Sequence, residues 1–225
     1  MPFKFLRGQG TERMDRIEAK VQAMLGHDRH ELELAMSALF GEVVAADVND
    51  ELRSTDQKVN ELEREIRREL VVHVSVYGGV DTPNVLIYMS IVKDIERLGD
   101  YAKNLLDLAL DGARFDVLPD VAEWRSLSGE ATQYVADVAK AFLERDTATS
   151  RALLTHGDQL LAHFDAHVSA LVRGDDAGPQ PVARALAHRY LKRVVAHLMN
   201  VLSAVTMPLD KLDYFDEDPE DRSPR

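Results

Sequence analysis

The stretch PNVLIYMSIVKDIERLGDYAKNLLDLALDG, residues 83–112, predicts a single long helix and decides the fold. Asp81 and Thr82 are good N-cap residues, and Pro83 is tolerated in a first helical turn. Gly112 lies where a helix commonly ends. Apolar residues recur at steps of three and four and form one stripe: Tyr88, Ile91, Ile95, Leu98, Ala102, Leu105 and Ala109.

A row of oxygen-bearing side chains lies beside this apolar stripe. Glu96, Asp100 and Asn104 are spaced at i, i+4 and i+8, so they stack one turn above another. Gly99 lies between the two acids, although a glycine inside a helix costs roughly 1 kcal/mol relative to alanine. We therefore expect another helix or a ligand to approach closely at Gly99. Oxygen ligands beside a small residue suit a hard cation or a polar contact between helices.

Composition and charge narrow the class of protein. The chain has 225 residues, of which 45% are hydrophobic and 29% charged, as is ordinary for a protein with an apolar core. Its formal net charge of −12 would repel DNA or RNA, so no nucleic-acid partner is expected. The absence of cysteine excludes disulfides and thiolate metal sites. No apolar run approaches the ~20 residues of a membrane span, and MPFKFLRGQG lacks a signal-peptide core. We therefore expect a soluble cytoplasmic protein.

The rest of the sequence predicts further helices, separated by short connections. Helical patterns cover residues 11–46, 55–76, 121–143, 147–172 and 182–207, with a polar turn at 47–54 and an interruption near Gly157. Because short loops make sequential helices pack together, we predict an all-α fold of two tandem three-helix bundles. The predicted domains are residues 1–112 and 113–207, followed by an acidic tail, 208–225, that is expected to be disordered. Residues 1–10 are expected to form a short apolar lead-in.

A second candidate site lies in the second half of the chain. His163 and His167 (HFDAH) stand at i and i+4, the spacing at which two imidazoles can share one metal. No third ligand is evident from the sequence, and Phe164 between them equally indicates that one histidine borders the core. A di-iron oxidase needs Glu-x-x-His on two helices, and this pattern is absent; Glu69 and His73 are four apart. The sequence therefore does not predict an enzyme.

Residues Tyr88–Leu108 (YMSIVKDIERLGDYAKNLLDL) carry a motif that resembles the signature of the PhoU family. In that family a helix carries glutamate-arginine-x-glycine-aspartate, followed by an asparagine four residues on. Asp56–Ile66 (DQKVNELEREI) is similar to the preceding helix of the family, and the predicted layout of tandem bundles agrees. The N-terminal MPFKF is similar to the accessory proteins encoded beside low-affinity phosphate transporters, a divergent branch of the same superfamily.

This resemblance implies a cytoplasmic negative regulator of phosphate homeostasis and not an enzyme. Its implied partners are a phosphate transporter, reached by peripheral association with the membrane, a sensor histidine kinase, and a second copy of the chain as a homodimer. It also implies a metal, such as iron, zinc, manganese or magnesium, held by E(D)xxxD motifs. The matching acids are Glu96 and Asp100, and Asp56 and Asn104 are further candidates.

Two other interpretations of the motif acids remain open. Glu96 and Asp100 could belong to a solvated helix face, paired with Arg97 and Lys103. Alternatively, the chain could be a carboxylate-rich metalloprotein that stores metal or acts as a di-iron oxidase.

The second half departs from the family pattern. Leu191–Val205 can be aligned with Ile95–Ala109, but the positions of the two motif acids are then occupied by Lys192 and Ala196. A symmetric second metal site of this kind is therefore not expected.

Overall fold

The computed structural model describes residues 11–176 and 178–212 and contains six long α-helices within them. In chain order these are α1 (Thr11–Leu39), α2 (Ala45–Tyr77), α3 (Thr82–Leu110), α4 (Val121–Glu144), α5 (Thr147–Arg173) and α6 (Pro181–Thr206). No strand occurs in the described ranges, so the predicted all-α fold is confirmed. The predicted lead-in at 1–10 and residues 213–225 of the predicted acidic tail lie outside the described residues, whereas the start of the tail contains a short 3-10 helix, Leu209–Lys211.

Helices α1, α2 and α3 pack against one another as one three-helix bundle, and α4, α5 and α6 form a second. The two bundles also contact each other, because α3 packs against α6 and α1 packs against α4. At the first contact, Asp94 Oδ1 lies 2.8 Å from His197 Nδ1 and accepts a 3.0 Å hydrogen bond from the buried Asn200 amide. The fold of two tandem bundles is therefore confirmed, while the domain ranges 1–112 and 113–207 remain a proposal.

The apolar stripe predicted on α3 faces the core as expected. Tyr88, Ile91, Ile95, Leu98, Ala102 and Leu105 are buried, and only Ala109 near the C-terminal end is half-buried. Pro83 lies in the first turn, as predicted, and the N-cap is Asp81. The Asp81 side chain does not cap the helix but contacts the buried His73 ring of α2, with Oδ2 3.0 Å from Nε2.

Two helix boundaries differ from the sequence-based expectation. The polar segment 47–54 is not a turn, because α2 begins at Ala45. The reversal between α1 and α2 falls instead at residues 40–44, where Gly41 adopts φ +66°, a conformation that favours glycine. The fully buried Leu52 anchors the polar first turns of α2 to the core, which explains why a helix forms there.

The expected interruption at Gly157 is also absent, and α5 continues to Arg173. This glycine allows close packing instead: a Cβ on it would lie 2.6 Å from Met199 Sδ and 2.7 Å from Tyr134 Oη. Within the described ranges, none of the helices has both the length and the apolar character required to cross a membrane.

Candidate functional site

Five acidic side chains from the first bundle gather around Gly99 of α3. They are Asp28 and Glu31 of α1, Asp56 of α2, and Glu96 and Asp100 of α3, and we call them the carboxylate cluster. Four of the five are buried, and Asp100 is half-buried. So many carboxylates away from water require protons, cations or hydrogen-bond donors to offset their charge.

Gly99 is the residue that lets the carboxylates of α1 and α2 come close to α3. A Cβ at this position would lie 3.0 Å from Glu31 Oε2 and 3.1 Å from Asp56 Oδ1. The same atom would lie 3.4 Å from Asp28 Oδ1. The close approach that the sequence predicts at Gly99 is therefore present, and the approaching atoms are carboxylate oxygens of two other helices.

Asp28 and Glu31 form the least accessible part of the carboxylate cluster, with exposures of 1% and 0%. None of their four carboxylate oxygens has a hydrogen-bond partner among the described residues. Burial, together with the neighbouring carboxylates, raises the pKa of Asp28 well above its usual value. Burial also raises the pKa of Glu31 to about 8, with Asp56 and Asp100 adding to the rise and Lys103 opposing it. Orphaned, buried oxygens of this kind fit a hard cation, which binds six or more oxygen ligands including water.

Lys103 supplies a positive charge at the edge of the carboxylate cluster. Its Nζ lies 2.8 Å from Asp56 Oδ1 and 2.9 Å from Asp100 Oδ1, and so bridges α2 and α3. Burial lowers the pKa of Lys103, but the hydrogen bonds to Asp56 and Asp100 outweigh it and raise the pKa. Lys103 therefore stays charged, but its one charge cannot neutralise five carboxylates.

The four residues predicted from the sequence fall into different environments. Asp56 and Asp100 are brought together by Lys103, whereas Glu96 is buried and bonds to Lys93. Asn104 lies one turn beyond Asp100 and is half-buried, and it takes no part in the contacts of Lys103 that join Asp56 to Asp100. The interpretation of the motif acids as part of a solvated helix face therefore fits Asp100 but not the buried Glu96. Asp100 also contacts an exposed arginine of α3.

Sequence reasoning missed Asp28 and Glu31, the two most buried acids. A signal for them was present, because both lie on the apolar stripe of α1 between Leu25 and Leu32, which are themselves buried. A charged residue on the core-facing side of an amphipathic helix is seldom fully buried without a partner.

The corresponding positions of the second bundle do not build such a cluster. Lys192 Nζ contacts Asp165 Oδ2 at 2.5 Å, and Ala196 is buried in the core. These positions of α6 therefore hold an ion pair and an apolar contact where α3 has two carboxylates.

Comparison with known proteins places the carboxylate cluster inside a recognised domain. Residues 21–109 match the family described as the PhoU domain, and this range contains every member of the cluster. A "Phosphate-specific transport system accessory protein PhoU homolog" of Synechocystis sp. is 22% identical over 206 residues, 89% of this chain and 91% of the relative. A protein of the same name from Xylella fastidiosa is 28% identical over 126 residues, 55% of this chain and 50% of the relative.

Solved structures show the same fold. PhoU from Pseudomonas aeruginosa superimposes with a TM-score of 0.78 at 20% identity, over 88% of this chain and 97% of that one. The phosphate transport system regulatory protein PhoU from Streptococcus pneumoniae gives a TM-score of 0.69 at 16% identity, over 91% of this chain and 98% of that one. The domain match in the first bundle, the names of the relatives and the shared fold agree, and together they support the PhoU family for this chain.

Proposed function

We propose that this chain is an accessory protein of a phosphate transport system and that it regulates transport by binding, not by catalysis. Its partners under this proposal are the cytoplasmic side of a phosphate transporter, a sensor histidine kinase, or both. The observation that carries the proposal is that the matched PhoU domain, residues 21–109, contains the carboxylate cluster around Gly99. The names of the Synechocystis and Xylella relatives support the phosphate-transport role.

Under this proposal the carboxylate cluster is the metal-binding site of the regulator. Asp28 and Glu31 would bind the metal through carboxylate oxygens that have no hydrogen-bond donor, and Asp56, Glu96 and Asp100 would add further negative charge around it. Iron, zinc, manganese or magnesium bound there would supply the positive charge that protons otherwise supply. Because the five side chains come from α1, α2 and α3, neutralising their charge would stabilise the contacts among all three helices of the first bundle.

The regulatory role is tested by complementing a deletion strain. We expect deletion to remove the repression of phosphate-starvation genes in high phosphate, and the wild-type gene to restore it. The double variant Asp28→Asn/Glu31→Gln should restore repression poorly, because it removes two carboxyl groups that would bind the metal while keeping the side-chain volumes. Glu33→Gln is the matched control, since Glu33 lies on the same helix but is exposed and paired with Arg29. Unchanged phosphate uptake and gene expression in the deletion strain would refute the proposal.

Binding to a partner is tested by affinity purification of the chain from cross-linked cells. We expect subunits of a phosphate transporter or a sensor kinase to be recovered with the wild-type chain. A homodimer would be seen as a doubled mass in light scattering of the purified protein. Recovery of neither class of partner would contradict a mechanism that acts by binding.

A carboxylate-rich metalloprotein, either a metal store or a di-iron oxidase, is the alternative that the same cluster favours. An oxidase would consume dioxygen after loading with ferrous iron, and a store would take up many ions per chain. The regulator is expected to bind a small fixed number of ions and to consume no dioxygen beyond the rate of the Asp28→Asn/Glu31→Gln variant.

A further inference from the structure

Three potential metal ligands from two helices converge in the second bundle, whereas the carboxylate cluster lies in the first. His163 and His167 are one turn apart on α5, with ring centroids 4.3 Å apart. Glu123, in the first turn of α4, places its Oε1 3.5 Å from His167 Nε2 and 3.9 Å from His163 Nε2. The sequence indicated the two histidines but no third ligand, and the fold supplies Glu123.

The spacing of these atoms is slightly wider than that of the ligand atoms in a zinc site. Zinc is bound at 2.0–2.1 Å by imidazole nitrogen and at a similar distance by carboxylate oxygen, in a tetrahedron whose ligand atoms are about 3.3 Å apart. The two measured separations from Glu123 Oε1 are within about 0.6 Å of that value. One ligand atom from each of the three residues lies within 4.8 Å of the others, so small side-chain rotations would close the site.

The surroundings favour a metal over a simple ion pair. His163 Nε2 is buried yet has no hydrogen-bond partner among the described residues. His188 of α6 is buried and stacks on His167 with ring centroids 4.8 Å apart, which holds the His167 ring in place.

The site is also open to solvent on one side. Glu123 is exposed, and His163 and His167 are half-buried, so a hydrated ion can enter and a water molecule can fill a fourth position. Sites with three protein ligands and one open position are common for zinc.

We propose that Glu123, His163 and His167 form a zinc-binding site that links the first turn of α4 to the C-terminal half of α5. The three protein ligands are Glu123 Oε1 and the Nε2 atoms of both histidines, and water completes the tetrahedron. This site is separate from the carboxylate cluster and does not depend on the proposed role in phosphate transport.

The proposal is tested with the whole 225-residue chain after removal of metal. Thermal unfolding is followed with and without zinc at about 100 times the dissociation constant, where the melting temperature should rise by about 5–10 °C. All variants carry Asp28→Asn/Glu31→Gln, so that zinc does not bind at the carboxylate cluster. In this background Glu123→Gln should weaken zinc binding at least tenfold, and His163→Ala/His167→Ala should abolish the rise. His156→Ala is the matched control, because His156 Nε2 lies 3.2 Å from Glu130 Oε1 across the same two helices but has no second imidazole beside it.

Cobalt absorption separates this site from the carboxylate cluster. Co²⁺ in a four-coordinate nitrogen and oxygen site absorbs visible light strongly, whereas six oxygen ligands give only weak bands. We expect strong bands in the wild type and in Asp28→Asn/Glu31→Gln, and no strong bands in His163→Ala/His167→Ala. Absence of these bands, or equal zinc stabilisation of the Asp28→Asn/Glu31→Gln protein with and without His163→Ala/His167→Ala, would overturn the proposal.

Discussion

Replacing Glu31 with glutamine should change how the stability of the metal-free protein depends on pH. Burial raises the pKa of Glu31 from 4.5 to about 8, while the unfolded chain titrates near the ordinary value. Between these two values the folded chain holds a proton that the unfolded chain releases. The free energy of unfolding therefore falls as pH rises through this window, by up to about 1.4 kcal/mol per pH unit for this group.

The size of the effect follows from the pKa. A rise from 4.5 to about 8 corresponds to roughly 5 kcal/mol of lost stability above the upper pKa, when the buried carboxylate is forced to ionise. The value of about 8 already includes the opposing effect of Lys103, but water entering the site would reduce the loss, so about 3–5 kcal/mol is expected. Glutamine has no proton to lose, so Glu31→Gln should be more stable than wild type by this amount at pH about 9. Near pH 4.5 the two proteins should differ little.

The assay is urea unfolding in the presence of a chelator, followed by circular dichroism across this pH range. Glu33→Gln, on the exposed face of α1, should follow the wild-type curve within about 0.5 kcal/mol. The reasoning would be refuted if Glu31→Gln kept the wild-type pH dependence, because Glu31 would then be ionised at no cost in the folded chain.

Two further predictions concern packing and ion pairs. Gly99→Ala should weaken metal binding at the carboxylate cluster tenfold or more, because its methyl group would lie 3.0 Å from Glu31 Oε2; metal titration checks this. Gly129→Ala in α4, which has open space around it, should raise stability by up to about 1 kcal/mol in urea unfolding. Arg184→Ala should lower stability by about 1–3 kcal/mol in urea unfolding, because its buried guanidinium pairs with two aspartates that are themselves partly exposed. Arg125→Ala removes an exposed pair and should cost about 0–1 kcal/mol; equal losses would contradict the role of burial.

The sequence was sufficient to predict the class of fold because its signals are local. Steps of three and four between apolar residues mark the buried face of α3, and Pro83 marks its start. Prediction from the sequence failed at the start of α2, where the single buried Leu52 holds a polar segment in a helix. It failed again at Gly157, because this glycine allows close contact with other helices and does not interrupt α5. In both cases a tertiary contact overrides the local preference.

The candidate sites were predictable only in part, for the same reason. Gly99 indicated a close approach, but not that Asp28 and Glu31 of α1 would make it. Likewise the spacing of His163 and His167 was visible, while Glu123 is brought beside them only by the packing of α4 on α5. The position of Asp28 and Glu31 on the apolar stripe of α1 indicates that they are buried, but it does not indicate which side chains of other helices they meet.

The most direct test of the carboxylate cluster as a metal centre is the metal content of purified protein. The measurement compares His163→Ala/His167→Ala with the same protein carrying Asp28→Asn/Glu31→Gln, after loading with iron, zinc, manganese or magnesium and removal of excess metal. We predict a fixed number of ions per chain in the first protein and their loss in the second. If both proteins remain free of metal, the cluster is neutralised by protons and Lys103 alone and serves as a polar contact between helices, which would contradict a metal-binding regulator.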